Sequence, residues 1–174
     1  FWFRHREWHE ERGIPWRQGI SLVGPPGTGK SLLIRGIGED LDLPIHVLHL
    51  STMSDYDLTE AWKKAKQDSP RIIAIEDYDG IEKEHGLLLF ITTNHPEHID
   101  PAMGVPDKNG ESSRPNRIDM QIWLENLDTD GRYKMALRIV KDPTVARRLT
   151  EQYPNLTGAQ FQNQCGLWAK RQLW

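Results

Sequence analysis

Five short apolar runs bounded by turn-forming residues organise the first two-thirds of the chain: Ile20 to Val23, Ile45 to Leu50, Ile72 to Ile75, Leu87 to Thr92 and Ile118 to Leu124. Their length and β-branched content predict buried strands. Between the first two, "KSLLIRGIGEDL" sets Leu33, Ile34, Ile37 and Leu41 at helical spacing. Gly36 and Gly38 weaken that helix by about 1 kcal/mol each relative to Ala, so at least one is expected to allow close packing on the sheet. After the second run, Ser54 is placed to cap a helix whose apolar face is Leu58, Ala61, Trp62 and Ala65, closed by Pro70. Strands alternating with helices predict a parallel sheet covered on both faces.

From Asp128 onward the strand pattern gives way to helices. "TDGRYKMALRIVKD" offers Tyr133, Ala136, Leu137 and Val140 on one face, "PTVARRLTEQ" has Pro143 at a helix start, and "LTGAQFQNQCGLWAKRQLW" opens on a Thr157 cap. The expected division is an α/β part over 1–127 and a small helical part over 128–174. There are no internal repeats or low-complexity tracts.

A length of 174 residues suits one domain, or one domain with a small appendage. Hydrophobic residues at 37% and charged residues at 27% describe an ordinary soluble chain, and a formal charge of -3 gives no global attraction to nucleic acid or an acidic membrane. No apolar stretch approaches the roughly 18 residues of a membrane span. The sequence opens at Phe1 without a signal-peptide pattern and reads as a fragment. The single cysteine, Cys165, excludes an internal disulfide, suits a reducing compartment such as the cytoplasm, and is expected as a buried apolar residue on a C-terminal helix. His5 and His9 stand at metal-ligand spacing, but without a third ligand they read as a solvated or aromatic-packed face. Phe1, Trp2, Phe3, Trp8 and Trp16 are interleaved with Glu7, Glu10 and Glu11, which favours packing over base stacking.

The chemistry is concentrated in "GPPGTGKS", Gly24 to Ser31, a G-x-x-x-x-G-K-S spacing between a predicted strand and a predicted helix. Glycines there let successive backbone N–H groups converge on phosphate oxygens, and the helix N-terminus adds partial positive charge. Lys30 is expected to reach the β- and γ-phosphates and Ser31 to offer its hydroxyl to Mg²⁺, with Pro25, Gly27, Thr28, Gly29 and Leu32 completing the cradle. "RIIAIED" ends a buried strand in Glu76 and Asp77, where a P-loop NTPase needs a carboxylate for the Mg²⁺ shell and often a second to activate water. "TTNH" ends the fourth strand with Asn94, placed beside the carboxylate strand to orient the attacking water. "SRPNRID" carries Arg114 and Arg117, a residue type suited to charge on a transferring phosphoryl group, often across a subunit boundary.

In order, "GPPGTGKS", "IIAIEDYD", "LLLFITTNH", "HIDPAM" and "RPNRIDM" resemble the AAA family of ATPases over nearly the whole chain. The resemblance implies an α/β P-loop NTPase with a helical lid, ATP and Mg²⁺ as cofactors, and a homo-oligomeric ring in which each site is completed by its neighbour. "REWHEERGIPWRQGISLVGPPGTGKS" with the order Glu-Asp in "IEDYD" looks like the branch that includes the mitochondrial inner-membrane chaperone for respiratory complex III assembly. That branch implies an alternative location, the mitochondrial inner membrane with the ATPase domain facing the matrix, and attachment only through a segment before Phe1. In the family pattern Glu76 takes the Mg²⁺-side position and Asp77 the water-activating one; the inverted order leaves the division of roles open. Gly13 and Ile14, and Gly158 and Ala159, are implied near the adenine.

Three departures matter. Only about ten residues separate Asp77 from Leu87, fewer than a parallel crossover usually takes. "GIEKEHG" resembles the tail of a longer family segment, so roughly twenty or more residues are inferred to be missing near Asp79 and Gly80. "GVPDKNGESS" lengthens the path to the arginines, and "STMSDYDL" lacks the aromatic-hydrophobic-Gly loop of peptide-threading unfoldases. The function expected is an ATP-hydrolysing ring motor or chaperone acting on a protein cargo. The alternatives are an ATP-gated scaffold with little turnover and a nucleic-acid remodeller, the latter given no encouragement by the acidic balance. GTP is disfavoured because no Asn-Lys-x-Asp motif is present.

Overall fold

The computed structural model describes residues 2–49, 52–67, 70–76, 86–95, 104–106 and 118–172. The apolar runs form strands β1 (Arg17–Val23), β2 (Ile45–His49), β3 (Arg71–Glu76), β4 (Leu87–Thr93) and β5 (Met120–Trp123). They make one sheet in the order β2-β3-β4-β1-β5, every pairing parallel. β3 and β4 are nearly continuous apolar runs because both of their faces are covered. The last run is shorter than its hydrophobicity predicts. The backbone N–H of Asp119 donates to the Gly19 carbonyl, and one carboxylate oxygen of Asp119 accepts from the Gly19 N–H at 2.7 Å, so this residue closes the ladder before the strand begins.

Helices α2 (Lys30–Leu41) and α3 (Asp55–Gln67) flank the sheet. α3 is capped as expected: the Asp57 N–H donates to Ser54 Oγ at 3.2 Å, and Ser54 Oγ donates back to the Asp57 carboxylate at 2.6 Å. Leu58, Ala61, Trp62 and Ala65 of α3 pack with Leu48, Ile73, Ile75, Leu87, Leu89 and Ile91 in the main core. On α2 the glycine that meets the sheet is Gly38, where a β-carbon would fall 2.7 Å from Ile45 Cγ1; at Gly36 nothing lies within 4 Å. Before the sheet, α1 (Arg6–Glu11) ends with Gly13 at φ 63°, its N–H on the Glu10 carbonyl and the Ile14 N–H on the His9 carbonyl. This six-to-one, five-to-two pairing is a Schellman stop, for which glycine has no steric penalty. Trp16, which follows, is buried, with Phe3 and the Arg6 guanidinium against its ring.

The chain divides into two compact units, Phe1–Val23 with Lys30–Trp123, and Gly24–Gly29 with Leu124–Trp174. The second contains α4 (Thr129–Val140), α5 (Pro143–Gln152) and α6 (Gly158–Arg171) around Ala136, Ala146, Leu149, Phe161 and Cys165. Asp128, Asp142 and Thr157 cap the three helices, Pro143 opens α5, and Thr157 forms a capping box with Gln160. Cys165 is fully buried, and that burial raises its thiol pKa. Among the described residues no helix is long and apolar enough to cross a membrane.

Candidate functional site

β1 delivers the chain into Gly24–Gly29, a segment whose glycines are fixed by geometry. Gly24 (φ 154°), Gly27 (φ 80°) and Gly29 (φ 97°) hold backbone angles that L side chains rarely adopt. A β-carbon at Gly24 would collide with the Leu124 carbonyl. Thr28 Oγ1 donates to the Pro25 carbonyl at 2.9 Å and closes the turn. Only glycine adopts such angles at no steric penalty, which is why the loop carries glycine at these three positions.

Within the same unit the N-terminus of α6 meets this loop. The Ala159 N–H donates to the Gly27 carbonyl at 3.0 Å, and a β-carbon at Gly27 would stand 2.8 Å from Thr157 Oγ1. Gly158 is buried, with the Gly27 carbonyl 3.3 Å from its own β-carbon position. Gly27, Gly158 and Ala159, far apart in sequence, are therefore brought together. The Thr157 contact was not foreseen as part of the site; its only sequence signal was the helix cap.

In the sheet unit, Lys30 opens α2 and its Nζ donates to Asn94 Oδ1 at 2.7 Å. Partial burial lowers the Lys30 pKa below the ordinary lysine value. Asn94 is held at the end of β4, where the His95 N–H donates to Thr93 Oγ1 at 3.0 Å. Ser31 and Leu32 are exposed in the first turn of α2. Glu76 is the last residue of β3, between His49 of β2 and Thr92 of β4 in register. β4 pairs with β3, Thr92 standing opposite Glu76, and Asn94 follows the last residue of β4. Gly13 and Ile14 form the end of α1, with Ile14 exposed. Asp77, Arg114, Arg117 and the junction at Asp79 and Gly80 lie outside the described residues.

A parallel sheet whose first strand runs through a glycine-rich loop into a helix opening on lysine is the arrangement of a P-loop NTPase. Residues 20–86 match the family model described as "ATPase family associated with various cellular activities (AAA)". The chain carries an AAA domain. Its relatives include the probable mitochondrial chaperone bcs1 of Schizosaccharomyces pombe, 28% identical over 151 residues, covering 71% of this chain and 32% of that protein. The human mitochondrial chaperone BCS1 is 30% identical over 150 residues, covering 68% of this chain and 34% of that protein. An ATP-dependent zinc metalloprotease FtsH from Halothermothrix orenii is 26% identical over 187 residues, covering 84% and 28%. The similarity thus includes the BCS1-like branch that the motif order implied. The chain spans about a third of the length of these relatives.

Proposed function

We propose that this AAA domain binds Mg-ATP and hydrolyses it to ADP and phosphate, driving the remodelling or translocation of a protein cargo within a homo-oligomeric ring. The observation that carries the reading is the 2.7 Å bond between Lys30 and Asn94, which joins the P-loop to the strand end beside Glu76. The donors proposed for the metal, the Ser31 hydroxyl and the carboxylates of Glu76 and Asp77, form the hard oxygen set that Mg²⁺ takes. Bound Mg²⁺ supplies charge neutralisation at the phosphates.

The chain's own residues divide the remaining work. The amides of Gly27, Thr28 and Gly29, with Pro25 and Leu32 flanking, cradle the phosphates, and Lys30 exchanges Asn94 for the γ-phosphate. Asn94 and Asp77 orient and activate the attacking water, and Gly13, Ile14, Gly158 and Ala159 border the adenine. Arg114 or Arg117 reaches the γ-phosphate of the neighbouring subunit. The names of the BCS1 relatives favour the mitochondrial location over the cytoplasmic one, and favour a chaperone cargo.

Calorimetry and phosphate release on single variants test the assignment. Lys30→Ala should abolish ATP binding. Asp77→Asn should retain binding and slow turnover by about a hundredfold or more. Equal binding and turnover in wild type and both variants would refute it.

A further inference from the structure

The backbone N–H groups at the start of a helix have no partner in its own ladder and must find one elsewhere. At the start of α6 the capping box satisfies two of them: the Thr157 N–H donates to Gln160 Oε1 at 3.0 Å, and the Gln160 N–H donates to Thr157 Oγ1 at 3.3 Å. The Ala159 N–H leaves the helix and donates to the Gly27 carbonyl at 3.0 Å. That bond joins α6 to the phosphate loop within one compact unit.

A peptide group is planar and trans, so its C=O and N–H point in opposite directions. Holding the Gly27 carbonyl on α6 therefore directs the Thr28 N–H away from that helix. Gly27, at φ 80°, has no β-carbon to resist rotation of this peptide, so its orientation depends on what holds the carbonyl. A bulkier residue could not take over the task. Its β-carbon would stand 2.8 Å from Thr157 Oγ1 and 3.3 Å from the Ala159 β-carbon.

We infer that Ala159 is a positioning residue: its N–H holds the 27–28 peptide with the Thr28 N–H turned outward to receive a polyphosphate. Amides that bind phosphate contribute most when already aimed, because turning them costs binding free energy. This role rests on the ATPase reading above and concerns the phosphate end of the ligand, whereas a border to adenine concerns the other end.

The test is calorimetry on the 174-residue chain with ATP and with inorganic tripolyphosphate, each in Mg²⁺, with thermal unfolding measured in parallel. Tripolyphosphate has no adenine, so it reads the phosphate loop alone. Ala159→Pro deletes the N–H in the first turn of α6, where proline is tolerated, and should weaken both ligands by the same factor, about tenfold. Ala159→Gly keeps the N–H and should recover the tripolyphosphate affinity. Lactic acid at position 159, which exchanges the N–H for an ester oxygen and retains the methyl, should repeat the proline result and decides alone if proline unfolds the chain. Three outcomes overturn the role of Ala159 while leaving the ATPase reading in place: tripolyphosphate bound equally well without the N–H, a loss that Ala159→Gly shares, or a wild type that binds ATP but not tripolyphosphate. A wild type that binds neither ligand overturns the ATPase reading itself.

Discussion

Single residues in the phosphate loop are constrained by two separate demands, backbone angle and space. At Gly24 both act together: φ is 154° and a β-carbon would run into the Leu124 carbonyl, a backbone atom that has no rotamer with which to move aside. Gly24→Ala is therefore expected to lose about 2 kcal/mol or more in urea unfolding, with strain and overpacking both contributing. A midpoint equal to wild type would mean that the loop tolerates a side chain there. Gly13 has an αL angle but open space around it, so its glycine serves the helix stop. This gives Gly13 a structural reason independent of adenine. Lys30 and Asn94 were each legible as sequence motifs, but their direct bond was not, because it depends on β4 lying next to both β1 and β3.

At the scale of elements, α2 contains a built-in comparison. Gly36 and Gly38 cost the isolated helix the same propensity, yet nothing surrounds Gly36, whereas Gly38 makes room for Ile45. Gly36→Ala should stabilise the protein by about 1 kcal/mol. Gly38→Ala should show no such gain and fall below wild type, because the added methyl displaces Ile45 from β2. Thermal unfolding of the two variants reads this directly, and similar shifts in both would contradict the packing role of Gly38. The strands and capped helices were readable because hydrophobic periodicity and cap residues are local signals. The start of β5 was not: Asp119 spends its backbone and carboxylate on Gly19, a partner one hundred residues away.

For the whole molecule, the sheet unit contains Lys30, Glu76 and Asn94, whereas the glycine loop belongs with the C-terminal helices. The proposed ring would add an arginine from the adjacent copy. Mixing Lys30→Ala chains with Arg117→Ala chains should then restore phosphate release above the sum of the separate proteins, since wherever the site of an Arg117→Ala chain faces a Lys30→Ala neighbour an intact site meets an intact arginine. Additive rates in the mixture would argue that Arg117 does not act in trans. The alignment with human BCS1 runs over 150 residues but draws on 68% of a 174-residue chain, so the relative has residues within the matched span that this chain lacks.

The linear order of residues determined the parallel α/β class, the phosphate-loop motif, the helix caps and the AAA resemblance, all of which depend on neighbours within a few turns of chain. Tertiary structure decided the strand order, which glycine of α2 faces the sheet, the meeting of Gly27 with Thr157 and Ala159, and the placement of His49 beside Glu76. Those outcomes depend on register and on long-range packing. A one-residue slip of β2 against β3 would change which residue stands beside each position of the pair without changing a single local signal.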